Sequence, residues 1–286
     1  MIVIVGCLVV IGGVGGGFLW AGGNVGALFH PSEVLTIGGA ALGALIVMSP
    51  KKVLVDLAKG VIGSLKGSPY NKQGYRDLFK LCYEILRLAR NEGLLALEAH
   101  VSSPHESTIF EKYPRIAQNH HVLEFLCGAL APVIERTVTP EKLPALLDIE
   151  IKVLEQEHHA PLGVLNKTAD GLPGFGIVAA VVGIVITMAH IDGPASEIGH
   201  KVGAALVGTF LGILASYGFF APLAVRMEFL GEAEIAFFRT IATIIQGLVD
   251  SLSPKVALEQ ARRGVASEVR PSRDELEELF KEVEAA

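Results

Sequence analysis

Four stretches of this chain are apolar for long enough to cross a bilayer, and most of the remainder alternates between apolar and charged positions at helical spacing. The first two, Met1–Trp20 and Val34–Pro50, carry no lysine or arginine. The other two, Leu172–Ala189 and Val202–Leu223, carry no charged side chain and are joined by the short polar link Ile191–Lys201. From Pro173 to Ala189 there are 17 residues, about 26 Å of helix at about 1.5 Å per residue, close to a hydrocarbon core of about 30 Å. Val202–Val225 has 24 residues, enough to span with tilt.

Small and hydroxyl residues on the last two segments are spaced to share one helix face. Gly176, Ala180, Gly183 and Thr187 follow i, i+4, i+7, i+11 spacing, and Ala205, Thr209, Gly212 and Ser216 repeat it. Two readings stay open: close helix packing, since small residues let backbones approach in lipid, or a face turned to another helix and a thin wet path. Pro173 and Pro222 stand at the outer ends of the pair, where a membrane helix meets a further extension, and either can act as a bend. In the first segment, Gly12 and Gly16 have the spacing of a packing seam. No Lys-Ser/Thr follows that glycine run, so it is not a phosphate loop.

The long insert Lys51–Asp170 reads as helical. Tyr75–Leu97 places Leu78, Leu81, Cys82, Ile85, Leu88 and Ala89 on one face, with Gly93 as an interruption; Val122–Val138 repeats the pattern. Thr139 and Pro140 form a cap and first-turn pair for a helix over Glu141–His159. Beyond the fourth apolar segment, Ile235, Phe238, Ile241, Ile245 and Leu248 mark another amphipathic helix. Ser272 and Glu275 form a capping box opening an acidic end helix, read as solvated.

Composition sharpens this picture. Apolar residues make up 51% and charged residues only 19%, the balance of an integral membrane protein. Of the lysines and arginines, 15 fall in Lys51–Asp170, one is Lys201, and 8 follow Pro222. Positive-inside logic puts the Gly22–Glu33 loop and the Ile191–His200 link outside, with both termini and the insert inside. The fold class is therefore all-α: four transmembrane helices, a helical cytoplasmic domain between spans two and three, and a cytoplasmic helical tail. The expected divisions are 1–50 for spans one and two, 51–170 for the cytoplasmic domain, 171–225 for spans three and four, and 226–286 for the tail. A net charge of −6 argues against nucleic-acid binding. Cys7, Cys82 and Cys127 are scattered singly, as inert fillers or free thiols. The adjacent pairs His120-His121 and His158-His159 point to different helix faces, and no HExxH or GxSxG is present. The chain thus reads as non-enzymatic, with no metal site and no cofactor. Spacing alone makes Arg90 and Glu98, either side of Gly93, part of a solvated face.

Four stretches, FGIVAAVVGIV (Phe175–Val185), VGTFLGILASYGF (Val207–Phe219), ESTIFEKYPRI (Glu106–Ile116) and RPSRDELEELF (Arg270–Phe280), together carry a family resemblance. The chain resembles the MotA family, the A subunits of the bacterial flagellar-motor stator, within the wider MotA/TolQ/ExbB proton-channel group. That resemblance implies a multi-pass protein of the bacterial inner membrane, with both termini cytoplasmic. It implies a ring of five such subunits around a dimer of B subunits (MotB), each B subunit supplying an intramembrane aspartate that carries the ion. Ion passage would turn the ring and so drive flagellar rotation. Thr209, Ala180 and Tyr217 match positions the family places on the ion path, beside Thr187 and Ser216 from the stripes. Pro173 and Pro222 match prolines needed for motor function. Arg90, Glu98 and Glu150 match charges of the insert, Arg90 and Glu98 being those that engage the rotor switch protein (FliG). Sodium-driven relatives carry threonine at the positions of Ala180, Gly208 and Thr209; only Thr209 has a hydroxyl here, so the transported ion is expected to be H⁺. On this reading the four spans contain no titratable relay of their own, and the partner must supply the carboxylate. Two alternatives stand beside it: a TolQ/ExbB-like channel subunit energising envelope processes, which usually has three spans, and a structural membrane scaffold.

Overall fold

The computed structural model describes residues 2–189 and 191–285; Met1 and Ala286, the outermost residues of the expected first span and tail, lie outside them. The described residues form helices and turns, with no strand among them. Among them, ten longer helices organise the chain: α1 Ile2–Trp20, α2 Pro31–Met48, α3 Lys51–Lys66, α4 Lys72–Glu92, α5 His120–Ile134, α6 Leu143–Met188, α7 Ala195–Ala215, α8 Ala221–Val249, α9 Pro254–Gly264 and α10 Arg273–Ala285. Short helical turns link α4 to α5, and a π-turn, Ser216–Phe220, joins α7 to α8. Among the described residues, four helical stretches are long and apolar enough to cross a membrane: Ile2–Trp20, Val25–Met48, Leu143–Met188 and Ala195–Val249.

The chain divides into two compact units. One comprises Met1–Gly67 with Glu157–Leu230, and the other Ser68–Gln156 with Gly231–Ala286. In the first unit, α1 buries no side chain within this chain. A β-carbon added at Gly12, Gly13, Gly15, Gly16 or Gly17 meets no atom within 4 Å, so the expected Gly12–Gly16 seam has no intrachain partner. The buried face of α2 is Glu33, Ile37 and Ala41, a single i, i+4, i+8 row. Ile37 and Ala41 pack with Leu172 and Ala179 of α6. Leu57 of α3 packs with Leu162, Leu165, Ala224 and Met227.

The second unit has the larger core. Asn71 caps α4, its side chain accepting from the Gly74 amide at 3.1 Å. The helix ends at Gly93, whose φ of +90° suits only glycine. Leu78, Phe79, Cys82, Ile85 and Leu86 are buried along α4 at helical spacing. Tyr75 meets Phe237 edge-on at 4.9 Å, and Phe125 of α5 meets Phe238 at the same separation. Ile235, Phe238, Ile241 and Ile245 are buried as their spacing requires. Burial pushes the Cys82 thiol up to about 12, so it stays protonated and inert.

Three expectations are corrected here. The helix expected over Glu141–His159 starts at Leu143 and does not stop: α6 runs 46 residues to Met188, through both Pro161 and Pro173. The Thr139 carbonyl still accepts from the Lys142 and Leu143 amides, so the turn opens where the Thr-Pro pair places it. Each proline removes one donor and crowds the carbonyl four residues back, a local cost that a long helix with regular turns on both sides can absorb. The polar link after the third span is shorter than expected, because α7 begins at Ala195 and Lys201 lies inside it, paired with Glu197 at 3.0 Å. The end helix α10 is not merely solvated. The Ser272–Glu275 capping box forms, at 2.7 and 3.1 Å, but Leu276, Leu279 and Phe280 are buried. Phe280 lies 4.5 Å from the Tyr83 ring, Tyr83 donates to Glu284 at 2.5 Å, and Lys72 pairs with Glu275 at 2.7 Å.

Candidate functional site

The two small-residue stripes face each other across α6 and α7. A β-carbon at Gly176 would stand 2.8 Å from the Gly208 carbonyl oxygen and 3.2 Å from the Thr209 Cα. One at Gly212 would stand 2.6 Å from the Leu172 carbonyl oxygen, and one at Gly183 would stand 2.9 Å from the Ala205 Cβ. Backbone touches backbone here, so the glycines are a steric requirement of the crossing. Within the chain, then, the stripes themselves are used for packing.

The candidate path residues separate around this seam. Ala180 and Thr209 are half-buried at the level of Gly208, where a Gly208 β-carbon would be 3.3 Å from the Ala180 amide nitrogen. Thr187 is fully buried and its hydroxyl donates to the Gly183 carbonyl at 2.8 Å. Ser216 is buried at the start of the π-turn, whereas Tyr217, the next residue, is 69% exposed. Pro173 is half-buried inside α6, and Pro222 is exposed in the first turn of α8.

Sequence reasoning missed one residue of this site. The hydropathy pattern puts Glu33 in the Gly22–Glu33 loop and begins the second span at Val34. The structure corrects both: Glu33 lies in the first turn of α2 and is buried, 6% exposed. Its Oε2 has no hydrogen-bond partner among the described residues and stands 2.7 Å from the position a Gly208 β-carbon would occupy. That same position is 3.1 Å from the Ala179 Cβ. One turn earlier, the Nδ1 of His30 is likewise buried and unpartnered. The available signal was the Pro31-Ser-Glu33 run itself: proline at the first helical position with glutamate two residues on marks a helix start at Pro31 rather than Val34.

In the second unit, Arg90 is exposed in the last turn of α4, and Glu98 is exposed at the start of the short helix Glu98–Ser102. No ion pair joins either to another described residue. Glu150 lies half-buried on α6, where burial and then the neighbouring Glu124 carboxylate raise its pKa above the ordinary carboxylate value. Arg90 lines a cavity with Arg136 and Thr139 that neither Glu98 nor Glu150 enters.

Comparison with known proteins gives a consistent result along the whole chain. Residues 4–93 match the family profile described as Motility protein A N-terminal, and residues 108–240 match that of the MotA/TolQ/ExbB proton channel family. Motility protein A of Salmonella typhimurium is 38% identical over 283 residues, covering 99% of this chain and 96% of that protein. Motility protein A of Escherichia coli is 37% identical over the same length and with the same coverage. Among solved structures, one described as C. jejuni MotAB superposes with a TM-score of 0.77 at 22% identity, covering 95% of this chain and 98% of the other. At that identity the superposition speaks for the fold.

Proposed function

The chain belongs to the motility protein A branch of the MotA/TolQ/ExbB proton channel family, and from that premise we propose that it is the A subunit of a proton-driven flagellar stator. It works as a multi-pass protein of the bacterial inner membrane, with both termini cytoplasmic. Its partner is a single-span B subunit of the MotB type, which contributes an intramembrane aspartate. Five copies surround the B dimer, and ion passage turns the ring against the rotor switch protein, FliG. The observation that carries this reading is the identity of 38% extended over 99% of the chain, which spans both apolar pairs and the insert together.

Each candidate residue takes a role in that assembly. Thr209, Ala180 and Tyr217 line the ion path, with Thr187 and Ser216 on the same helices. Pro173 and Pro222 shape the helices that move. Arg90, Glu98 and Glu150 lie on the rotor-facing unit. Cytoplasmic placement of that unit is supported by the lysines of α3, which come directly after the second span. Protons are favoured over sodium because only Thr209 offers a side-chain hydroxyl among the positions 180, 208 and 209.

The test is complementation. Co-expressed with its B partner in a flagellated strain lacking its own stator, this chain should restore swimming, at a speed set by proton-motive force and indifferent to external sodium. Swimming that rises with sodium at fixed proton-motive force overturns the ion assignment. Failure to swim, with rescue of an envelope-energising mutant instead, favours the TolQ/ExbB-like alternative; rescue of neither favours a scaffold.

A further inference from the structure

Glu33 is the one charged residue in α2, and its surroundings are not those of a helix-capping carboxylate. At the third helical position a glutamate can reach back to the cap amide, yet α2 has no side-chain cap bond at His30. The carboxylate turns instead onto Gly208, where Oε2 lies buried without a hydrogen-bond partner. The depth of that position comes from helix geometry. Gly208 is level with Ala180, eight residues before the end of α6 at Met188, or about 12 Å inside it at about 1.5 Å per residue. Glu33 itself stands in the first turn of α2, two residues or about 3 Å from its start, so the carboxylate is buried toward that end of the helix pair. A carboxylate held there is costly and is retained where it works.

The neighbouring elements offer it no counter-charge. Between Asp170 and Met188, α6 carries no charged side chain, and α7 carries none between Lys201 and its end at Ala215. The whole of α1 has none, and its one titratable group is Cys7. Only His30, one turn away on the loop entering α2, faces Glu33 with a titratable group, and its Nδ1 is also buried and unpartnered. Gly208 completes the arrangement: any side chain there would occupy the space the carboxylate fills.

We propose that Glu33 is a proton-binding site of this chain itself, a carboxylate that takes up one proton beside His30 and releases it toward Thr209 and the partner's ion carrier. The proton is bound as the neutral acid and leaves with the carboxylate regenerated, so one proton enters for each that departs. This rests on the reading of the chain as an ion-path subunit, and it changes that reading: the path holds a carboxylate from each subunit.

The experiment uses the full chain assembled with its B partner in liposomes, with proton influx driven by a potassium diffusion potential. Glu33→Gln keeps the shape and loses the proton site. Proton flux is expected to fall about a hundredfold, the lower end of what a positioned proton-transfer group contributes, while Glu33→Asp restores part of it. Flux within twofold of wild type in Glu33→Gln overturns the proposal, since a packing or capping role tolerates the amide. Should Glu33→Gln fail to assemble, Gly208→Ala carries the test, because its methyl displaces the carboxylate: lost flux is expected, and unchanged flux overturns the proposal. Infrared difference spectra of the chain alone give an independent readout, a carboxylic-acid carbonyl band that titrates with pH in wild type and is missing in Glu33→Gln. If the wild-type complex carries no protons, the stator reading fails, and the infrared band still decides for or against Glu33.

Discussion

Replacing Gly212 by alanine tests whether the α6–α7 seam is a backbone contact. The added methyl would lie 2.6 Å from the Leu172 carbonyl oxygen, 2.9 Å from the Gly176 Cα and 3.1 Å from the Gly176 nitrogen. Ordinary contact begins at 3.4 Å, so the helices must part by about 0.8 Å on the oxygen side. No side chain can rotate away, because every close atom belongs to backbone. Overpacking of this kind costs about 1–3 kcal/mol, against which the intrinsic helix preference of alanine over glycine returns about 1 kcal/mol. Gly203→Ala, on the same helix but with no atom within 4 Å of the new methyl, isolates that second term. The two variants should therefore differ by the overpacking cost alone, about 1–3 kcal/mol. Reversible unfolding of the purified chain by SDS titration in mixed micelles measures the difference. Equal unfolding midpoints for Gly212→Ala and Gly203→Ala would refute the backbone crossing.

The second unit supplies further tests. Neutralising Arg90 or Glu98 alone should reduce swimming only partly, since an exposed charge contact is worth about 0–1 kcal/mol. Arg90→Glu should do more damage, part of it reversed by an opposite charge change on the rotor; normal swimming in Arg90→Glu would return both residues to a plain solvated face. Phe280→Ala should destabilise this unit by about 3–5 kcal/mol, seen as early loss of hydrogen-exchange protection in α10 and along the α4 face beneath it. Hydrogen bonds from Arg262, reinforced by Arg263, hold the Glu259 carboxyl down at about 2 from its ordinary 4.5. Its stabilising contribution is complete above pH 4.5 and is lost as pH falls toward 2. The stability difference between wild type and Glu259→Gln should therefore shrink across that window, and a difference constant with pH would rule the pair out.

Periodicity made most of the fold legible. The i, i+3, i+4 rows of α4 and of residues 235–248 are the buried faces found, because a helix in water must hide such a row. The Ser272–Glu275 box was legible for the same local reason. What failed depended on where helices end. Hydropathy cannot locate the first turn of α2, because Pro31, Ser32 and Glu33 are polar or helix-breaking when read singly and become a helix start only as a group. The error left the one charged residue of α2 out of that helix. Similarly, a helix expected to end at His159 and a span expected to begin near Pro173 are one continuous helix, α6, which passes through Pro161 and Pro173. Burial of the acidic α10 was also hidden: its apolar row is short, and the basic side chains that receive it, Lys72, Arg76 and Lys80, belong to a distant stretch of sequence.

Pro222 shows how a motif read as a hinge acquires a physical description. In an uninterrupted α-helix its missing N–H would orphan the carbonyl four residues back, at Gly218, and its ring would press on that carbonyl. The chain avoids this by widening the turn immediately before. Ser216–Phe220 is a π-turn, and the Ala221 amide reaches back five residues to the Ser216 carbonyl. One extra residue in a turn of about 3.6 rotates the downstream helix by about 100°. That rotation falls between two neighbouring candidates for the ion path: Ser216 is 1% exposed, whereas Tyr217 is 69% exposed. Gly218 eases the same place, since a β-carbon there would stand 3.1 Å from a Val10 side-chain methyl on α1 and 3.2 Å from one of Leu214, which would have to shift slightly. Proline, glycine and the widened turn therefore form one device, in which the proline makes the regular helix unfavourable and the glycine gives the alternative room. A change of register confined to residues 216–221 would reorient Ser216 and Tyr217 together, because both lie within the widened turn.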